Sequence, residues 1–274
     1  MAKIGFSLQS SYTMPMPEVL TLLRSIGVHA VSPLWQKDIP TERIANAAAA
    51  NGLVIQSLHA PFRGLPQMWE SDAPILPDLL QSVDDCAFCD IPVLVVHSWG
   101  GIQYTFREDA LLFDHFDQLV DHACRKGVQI AFENLEGPEF LAALMDRYHH
   151  LDQVGFCWDS GHELCYTPSI DFLKLYGDRL IMTHLNDNFG ITDPDGQLQG
   201  TDDLHLLPYD GIANWPQTIQ RLQQVRKQDI LNFELKIRPK GDRCKTDLYS
   251  TVPLEQYLAK AYEGACRAVS GYFE

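Results

Sequence analysis

The 274-residue sequence has no stretch approaching the roughly 18 consecutive apolar residues of a membrane-spanning helix, so no membrane partner is expected. Its first residues, "MAKIGFSLQ", enter an alternating strand-like pattern at once and lack the apolar core of a secretory signal, which makes the expected location cytoplasmic. Disulfide pairing is also poorly served. Seven cysteines are an odd number, widely spread, and form no framework. The one close pair, Cys86 and Cys89, falls in a helical pattern with no second pair at zinc-site spacing, so buried free thiols are expected.

Positive charge is scarce. With 21 Lys and Arg against 36 Asp and Glu, the formal net charge is −15, a field that repels phosphate backbones. No nucleic-acid partner is expected unless bound cations reverse that field. No Pro/Gly/Ser-rich linker divides the chain, and no G-x-G-x-x-G turn follows its first strand, which disfavours an open dinucleotide-binding sheet.

Eight apolar, β-branched runs are present: 3–8, 29–35, 53–59, 92–98, 128–134, 154–159, 180–185 and 230–235. Helix-like stretches alternate with them. Pro17 and Gly27 bracket the first, Thr41 reads as N-cap and Gly52 as C-cap of the second, and residues 110–127 close on Arg125, Lys126 and Gly127. Eight such units of continuous apolar strands predict a (β/α)8 TIM barrel, one domain spanning 1–274.

Barrel chemistry sits at the C-terminal ends of the strands. Those ends carry His59, His97, Glu133, Asp159 with His162 just beyond, His184, and Glu234, and the loop after His184 adds Asp203 and His205. The stretch "VGFCWDSGHELC" (154–165) has two readings: Asp159 caps a turn, or Asp159 and His162 belong to a site. Six consecutive strands ending in His, Asp or Glu favour the site, because a barrel brings those positions into one small volume. Several carboxylates share such a volume in ionised form only if cations neutralise them. Imidazole with carboxylate suits a divalent ion: Mn2+ is the leading candidate, with Zn2+, Co2+ and Mg2+ behind it.

The set "SLHAPF", "FEN", "WDSGH", "HLND", "LPYDG" and "FELK", in that order, resembles the xylose isomerase-like barrel superfamily, which joins sugar isomerases and epimerases to apurinic endonuclease IV. In epimerase-like members the resemblance implies one metal on Glu133, Asp159, His184 and Glu234. Glu133 and Glu234 then shuttle protons as the catalytic pair, and His162 touches a sugar oxygen. In endonuclease-like members it implies three zinc ions on nine residues, adding His59, His97, His162, Asp203 and His205 as further ligands.

Three features favour the sugar branch: the acidic balance, the sugar-branch resemblance of "DLHLLPYDGIANW", and strand-end tryptophans (Trp35, Trp99 and Trp158) suited to stacking or to plain packing. The expected substrate-binding set is His59, His97, His162, His205, Trp99 and Lys236. Members of this branch often carry an Arg in the loop after the seventh-strand His, but loop 185–210 here contains no Lys or Arg. A phosphorylated substrate would then need Arg63, Lys236 or Arg238. The expected reaction is proton transfer through an enediolate on a small sugar, in a barrel of a family whose members often pair with a second copy. The other classes are metal-assisted phosphodiester cleavage and binding without turnover.

Overall fold

The computed structural model describes residues 3–237 and 248–272. Its strands and helices alternate as β1 (Ile4–Ser7), α1 (Met16–Ile26), β2 (Ala30–Ser32), α2 (Thr41–Ala50), β3 (Val54–Ile55), β4 (Leu58–His59), α3 (Leu76–Phe88), β5 (Val93–His97) and α4 (Asp114–Lys126). They continue as β6 (Gln129–Glu133), α5 (Pro138–Arg147), β7 (Val154–Asp159), α6 (Ser160–Tyr166), α7 (Phe172–Tyr176), β8 (Leu180–His184), α8 (Trp215–Leu222), β9 (Leu231–Phe233) and α9 (Leu254–Ala268). All strand pairings are parallel, in the orders β3-β2-β1-β9 and β4-β5-β6-β7-β8.

Backbone hydrogen bonds join the two sheets at both seams. Trp35 N donates to His59 O and His59 N to Pro33 O at one seam, at 2.8 and 2.9 Å. Leu185 N donates to Asn232 O and Glu234 N to Leu185 O at the other, at 2.9 and 3.1 Å. The result is a TIM barrel. Its third strand is two short pieces, β3 pairing with β2 and β4 with β5, and between them Gln56 and Ser57 bond through their side chains to Ile230 O and Ser32 Oγ.

Strand alternation divides the core. Val93, Val95, Ala131, Cys157 and Met182 pack in the barrel interior, whereas Leu94, Val96, Ile130, Phe132 and Phe156 face the helices. Helix ends depart slightly from the sequence reading. Pro40 is the N-cap and Asn51 the C-cap of α2, so Thr41 and Gly52 each lie one residue inside or outside those roles. Thr41 instead gives its hydroxyl to Asp85. Helix α4 starts at Asp114, later than 110, but ends on the left-handed Gly127 as expected. Cys86 and Cys89 are free thiols, as are the other described cysteines. Among the described residues no helix is long and apolar enough to cross a membrane.

Candidate metal centre and substrate cavity

The strand ends do converge. Glu133 ends β6, Asp159 ends β7, His184 ends β8 and Glu234 follows β9. Their ligand atoms all lie within 4.8 Å of one another. Glu133 Oε1 and Glu234 Oε2 approach His184 Nδ1 at 3.1 and 2.9 Å. Glu133 Oε2 is buried without a hydrogen-bond partner, 3.4 Å from His59 Nε2 and 3.6 Å from His97 Nε2.

Asp159 is a helix cap and also stands in the four-residue group. Its Oδ1 caps α6 by accepting from His162 N at 2.8 Å, and the carboxylate still belongs to the four-residue group. Two asparagines fix it. Asn134, just past the end of the adjacent β6, accepts from Asp159 N and donates to Asp159 O, at 2.8 and 2.9 Å. Asn186 Nδ2 donates to both carboxylate oxygens at 3.0 and 3.1 Å. Gly161 makes room for this: a Cβ there would lie 1.8 Å from Asn186 Oδ1.

The histidine tautomers follow from their carbonyl partners. Nδ1 of His59, His162 and His205 lies 2.8, 3.0 and 3.1 Å from the carbonyls of Ala60, Asn134 and Glu234. A carbonyl only accepts, so each Nδ1 carries a proton and Nε2 is the nitrogen left for other partners. For His162 and His205, Nε2 lies 3.4 and 2.7 Å from Asp203 Oδ1. His184 is different, because its Nδ1 is the atom facing the carboxylates.

The electrostatics are those of a buried, mutually compensating cluster. Burial drives the Glu133 carboxyl up, but the charge of His184 and the nearby His162 and His59 imidazoles outweigh it and hold it well below the usual range. Glu234 behaves alike: burial is overcome by His184 and His205. For Asp203, burial is overcome by His205, Lys236 and His162. Burial leaves Asp159 raised and depresses His97 to about 3. His162 and His184 are instead pushed well up, burial being outweighed by Asp159 and Asp203 for the first and by Cys157, Glu133 and Glu234 for the second.

Above the cluster opens a cavity of about 630 Å³, lined by His59, His97, His162, His205, Asp203 and Lys236 among others. Asp159 and His184 lie beneath its floor, 0% and 1% exposed. One expected site residue does not reach it. The chain leaves β5 after His97, and Trp99 folds back through Nε1 to Gly101 O at 2.8 Å, stacking on Phe140 at 4.0 Å. Trp35 and Trp158 also turn away, donating to Asp85 and Glu163. Strand alternation requires this of Trp158, since its neighbour Asp159 points inward. The cavity aromatics are Phe62, stacked on His97 at 5.1 Å, and Tyr166; neither stood out in the sequence. Glu136 also lines the cavity and accepts from Gly101 N. Its place in "FENLEG", three residues past Glu133, was the available signal. Arg238 lies outside the described residues.

The "LPYDG" loop is held by Asp187, which accepts from Tyr209 N, Ala213 N and Trp215 Nε1 at 3.1, 2.9 and 3.2 Å. A Cβ on Gly211 would meet Asp187 Oδ1 at 2.3 Å. The "HLND" and "LPYDG" motifs thus form one structural unit.

With strands, cluster and cavity in place, the class is a parallel TIM barrel with its side-chain cluster at the strand ends. The chain belongs to the xylose isomerase-like TIM barrel family, whose model matches residues 20–257. It is 38% identical over 130 residues to the "Uncharacterized protein y4fM" of Sinorhizobium fredii (strain NBRC 101917 / NGR234). That match covers 45% of this chain and only 38% of the relative's length. Solved structures share the fold. A protein named IolI, crystallised with a zinc atom, matches 99% of both chains with TM-score 0.77 and 20% identity. D-psicose 3-epimerase from Clostridium cellulolyticum H10, solved with D-tagatose, matches 99% of both with TM-score 0.71 and 12% identity. The 3-keto-D-glucoside 4-epimerase YcjR of E. coli matches 96% of this chain and 100% of its own with TM-score 0.69 and 15% identity.

Proposed function

We propose that this chain is a divalent-metal-dependent sugar isomerase or epimerase that moves a proton between substrate carbons through an enediolate. The observation that carries this reading is the approach of two carboxylates, Glu133 and Glu234, to one imidazole nitrogen beside a large cavity. The donor set fits a divalent ion: three carboxylates and an imidazole within 4.8 Å, one buried carboxylate oxygen having no hydrogen-bond partner. Glu133, Asp159, His184 and Glu234 would hold Mn2+, Zn2+, Co2+ or Mg2+. When bound, such an ion polarises a substrate carbonyl and acidifies the adjacent C–H.

The protein's own residues do the rest. Glu133 and Glu234 project from β6 and β9, with two strands between them, so one removes the carbon-bound proton and the other returns one. His59, His162 and His205, oriented by their carbonyl partners, serve substrate hydroxyls through Nε2. His97, kept neutral by burial, and Lys236 complete the polar lining. The epimerases among the structural neighbours support a sugar substrate. Loop 185–210 offers no cation for a phosphate, so non-phosphorylated sugars or keto-sugars are the preferred class.

A zinc phosphodiesterase acting on abasic DNA is favoured by one observation: His59, His97 and Glu133, and Asp159, His162 and His205, form two further groups of ligand atoms. The net charge of −15 opposes a DNA partner. Metal counting on protein purified without chelator separates the readings. About one ion per chain, with ketose turnover exceeding that of phosphate esters, supports the isomerase. Three zinc ions with cleavage of an abasic duplex overturns it.

A further inference from the structure

The cavity has two unlike walls. One is the acid and histidine cluster. The other comes from the ends of β1, β2 and β4 and carries Leu8, Leu34, Phe62 and Arg63.

Each carboxylate lining the cavity is already engaged. Glu133 and Glu234 face His184, Glu136 accepts from Gly101 N, and Asp203 faces His205 and Lys236. Lys236 is thereby engaged too, 3.7 Å from Asp203 Oδ2. Arg63 differs: among the described residues no carboxylate oxygen lies within 4.0 Å of its guanidinium. Arg63 is exposed, and of the two cations that line the cavity, Arg63 and Lys236, it is the one that faces no carboxylate among the described residues. Its loop is also fixed. Phe62 stacks on His97 at 5.1 Å and meets His59 edge-on at 5.8 Å, while Gly64 turns the chain at φ 87°. That anchoring fixes the loop that carries Arg63 on the cavity wall.

We propose that Arg63 binds a carboxylate on the substrate, which makes a sugar acid or keto-sugar acid the substrate class; this rests on the isomerase reading above. A guanidinium matches a carboxylate in a bidentate, planar arrangement. A phosphate dianion calls for more positive charge, and the loop after His184 has no Lys or Arg to add. The carboxylate end of the substrate lies against Arg63, and the reacting carbons lie toward Glu133 and Glu234.

The test compares D-fructuronate, D-fructose and fructose 6-phosphate as probes on metal-loaded protein. Calorimetry gives binding, and deuterium incorporation from solvent gives proton transfer. The uronate should bind about tenfold or more tightly than the neutral sugar. Arg63→Gln should bring that ratio toward one, Arg63→Lys should restore part of it, and Arg125→Gln, a control on α4, should leave it unchanged. Equal affinities for uronate and sugar, a ratio indifferent to Arg63, or preference for the phosphate would overturn the assignment. An Arg63-dependent uronate preference without deuterium exchange keeps the carboxylate site and removes the isomerase reading. Exchange without that preference does the reverse.

Discussion

Glu133 Oε1 and Glu234 Oε2 meet at a single atom, His184 Nδ1, although β7 and β8 separate their strands in the barrel. One N–H satisfies one acceptor well, whereas a cation satisfies both carboxylates and takes the imidazole lone pair as well. Glu133→Gln and Glu234→Gln should therefore each lower metal content from about one ion per chain to a small fraction. Both should also abolish solvent deuterium incorporation into the substrate. Elemental analysis and NMR of recovered substrate check this. Ketose turnover by the wild type without any deuterium incorporation would instead favour hydride transfer or a shielded proton relay.

Asp159→Asn separates the two roles of that residue. Asn is a good N-cap, so α6 should persist. The amide supplies one oxygen where the carboxylate has two, and its NH2 opposes the Asn186 donor that now bonds both oxygens. We expect folded protein, a stability loss of about 1–2 kcal/mol, and at least a tenfold loss of metal affinity. Circular dichroism and metal titration read these separately. Full occupancy and activity would leave Asp159 a cap alone.

The strand ends were legible because apolar runs and their terminal His, Asp and Glu residues are local features. Eight runs became the barrel strands, with only the third divided, into one piece that pairs with β2 and one that pairs with β5. What stayed hidden depends on contacts across the chain. Asn134 and Asn186 clamp Asp159 from just beyond the ends of β6 and β8, on either side of it, and no spacing within the sequence announces that. Trp99, near a strand end, reads in the sequence as suited to stacking on a sugar or to plain packing. The strand stops at His97, so alternation no longer governs Trp99, and its ring finds Phe140 instead.

Gly161→Ala should test the clamp from the other side. Alanine is normally favoured over glycine in a helix by about 1 kcal/mol. Here its methyl would sit 1.8 Å from Asn186 Oδ1 and 2.7 Å from Asn186 Cγ, in a buried site. The overpacking cost should win, giving net destabilisation of about 2 kcal/mol. Displacing Asn186 frees Asp159, so metal affinity should fall with stability. Urea unfolding with and without metal measures both; a more stable variant with unchanged affinity would refute the clamp.

A surface pair away from the cavity provides a pH test. Asp117 on α4 accepts from Arg147 Nε and Tyr148 Oη, each at 2.8 Å, and also from Arg147 Nη2. The Arg147 hydrogen bond holds the Asp117 carboxyl below its usual value, against the opposing effect of burial. A depressed folded pKa means that the contribution is present above the unfolded value of about 3.9 and is lost as pH falls through the folded one. The side chains of Arg147 and Asp117 are 42% and 35% exposed, so solvent screening keeps the contribution to about 1 kcal/mol or less. Asp117→Asn should accordingly lower Tm by no more than roughly 2–4 °C at pH 7, with the gap to wild type closing as the pH falls below the unfolded value and through the depressed folded one. Thermal melts from pH 7 to pH 2 trace it. A gap that persists undiminished at pH 2 would mean that Asp117 acts through packing, with its charge contributing nothing to stability.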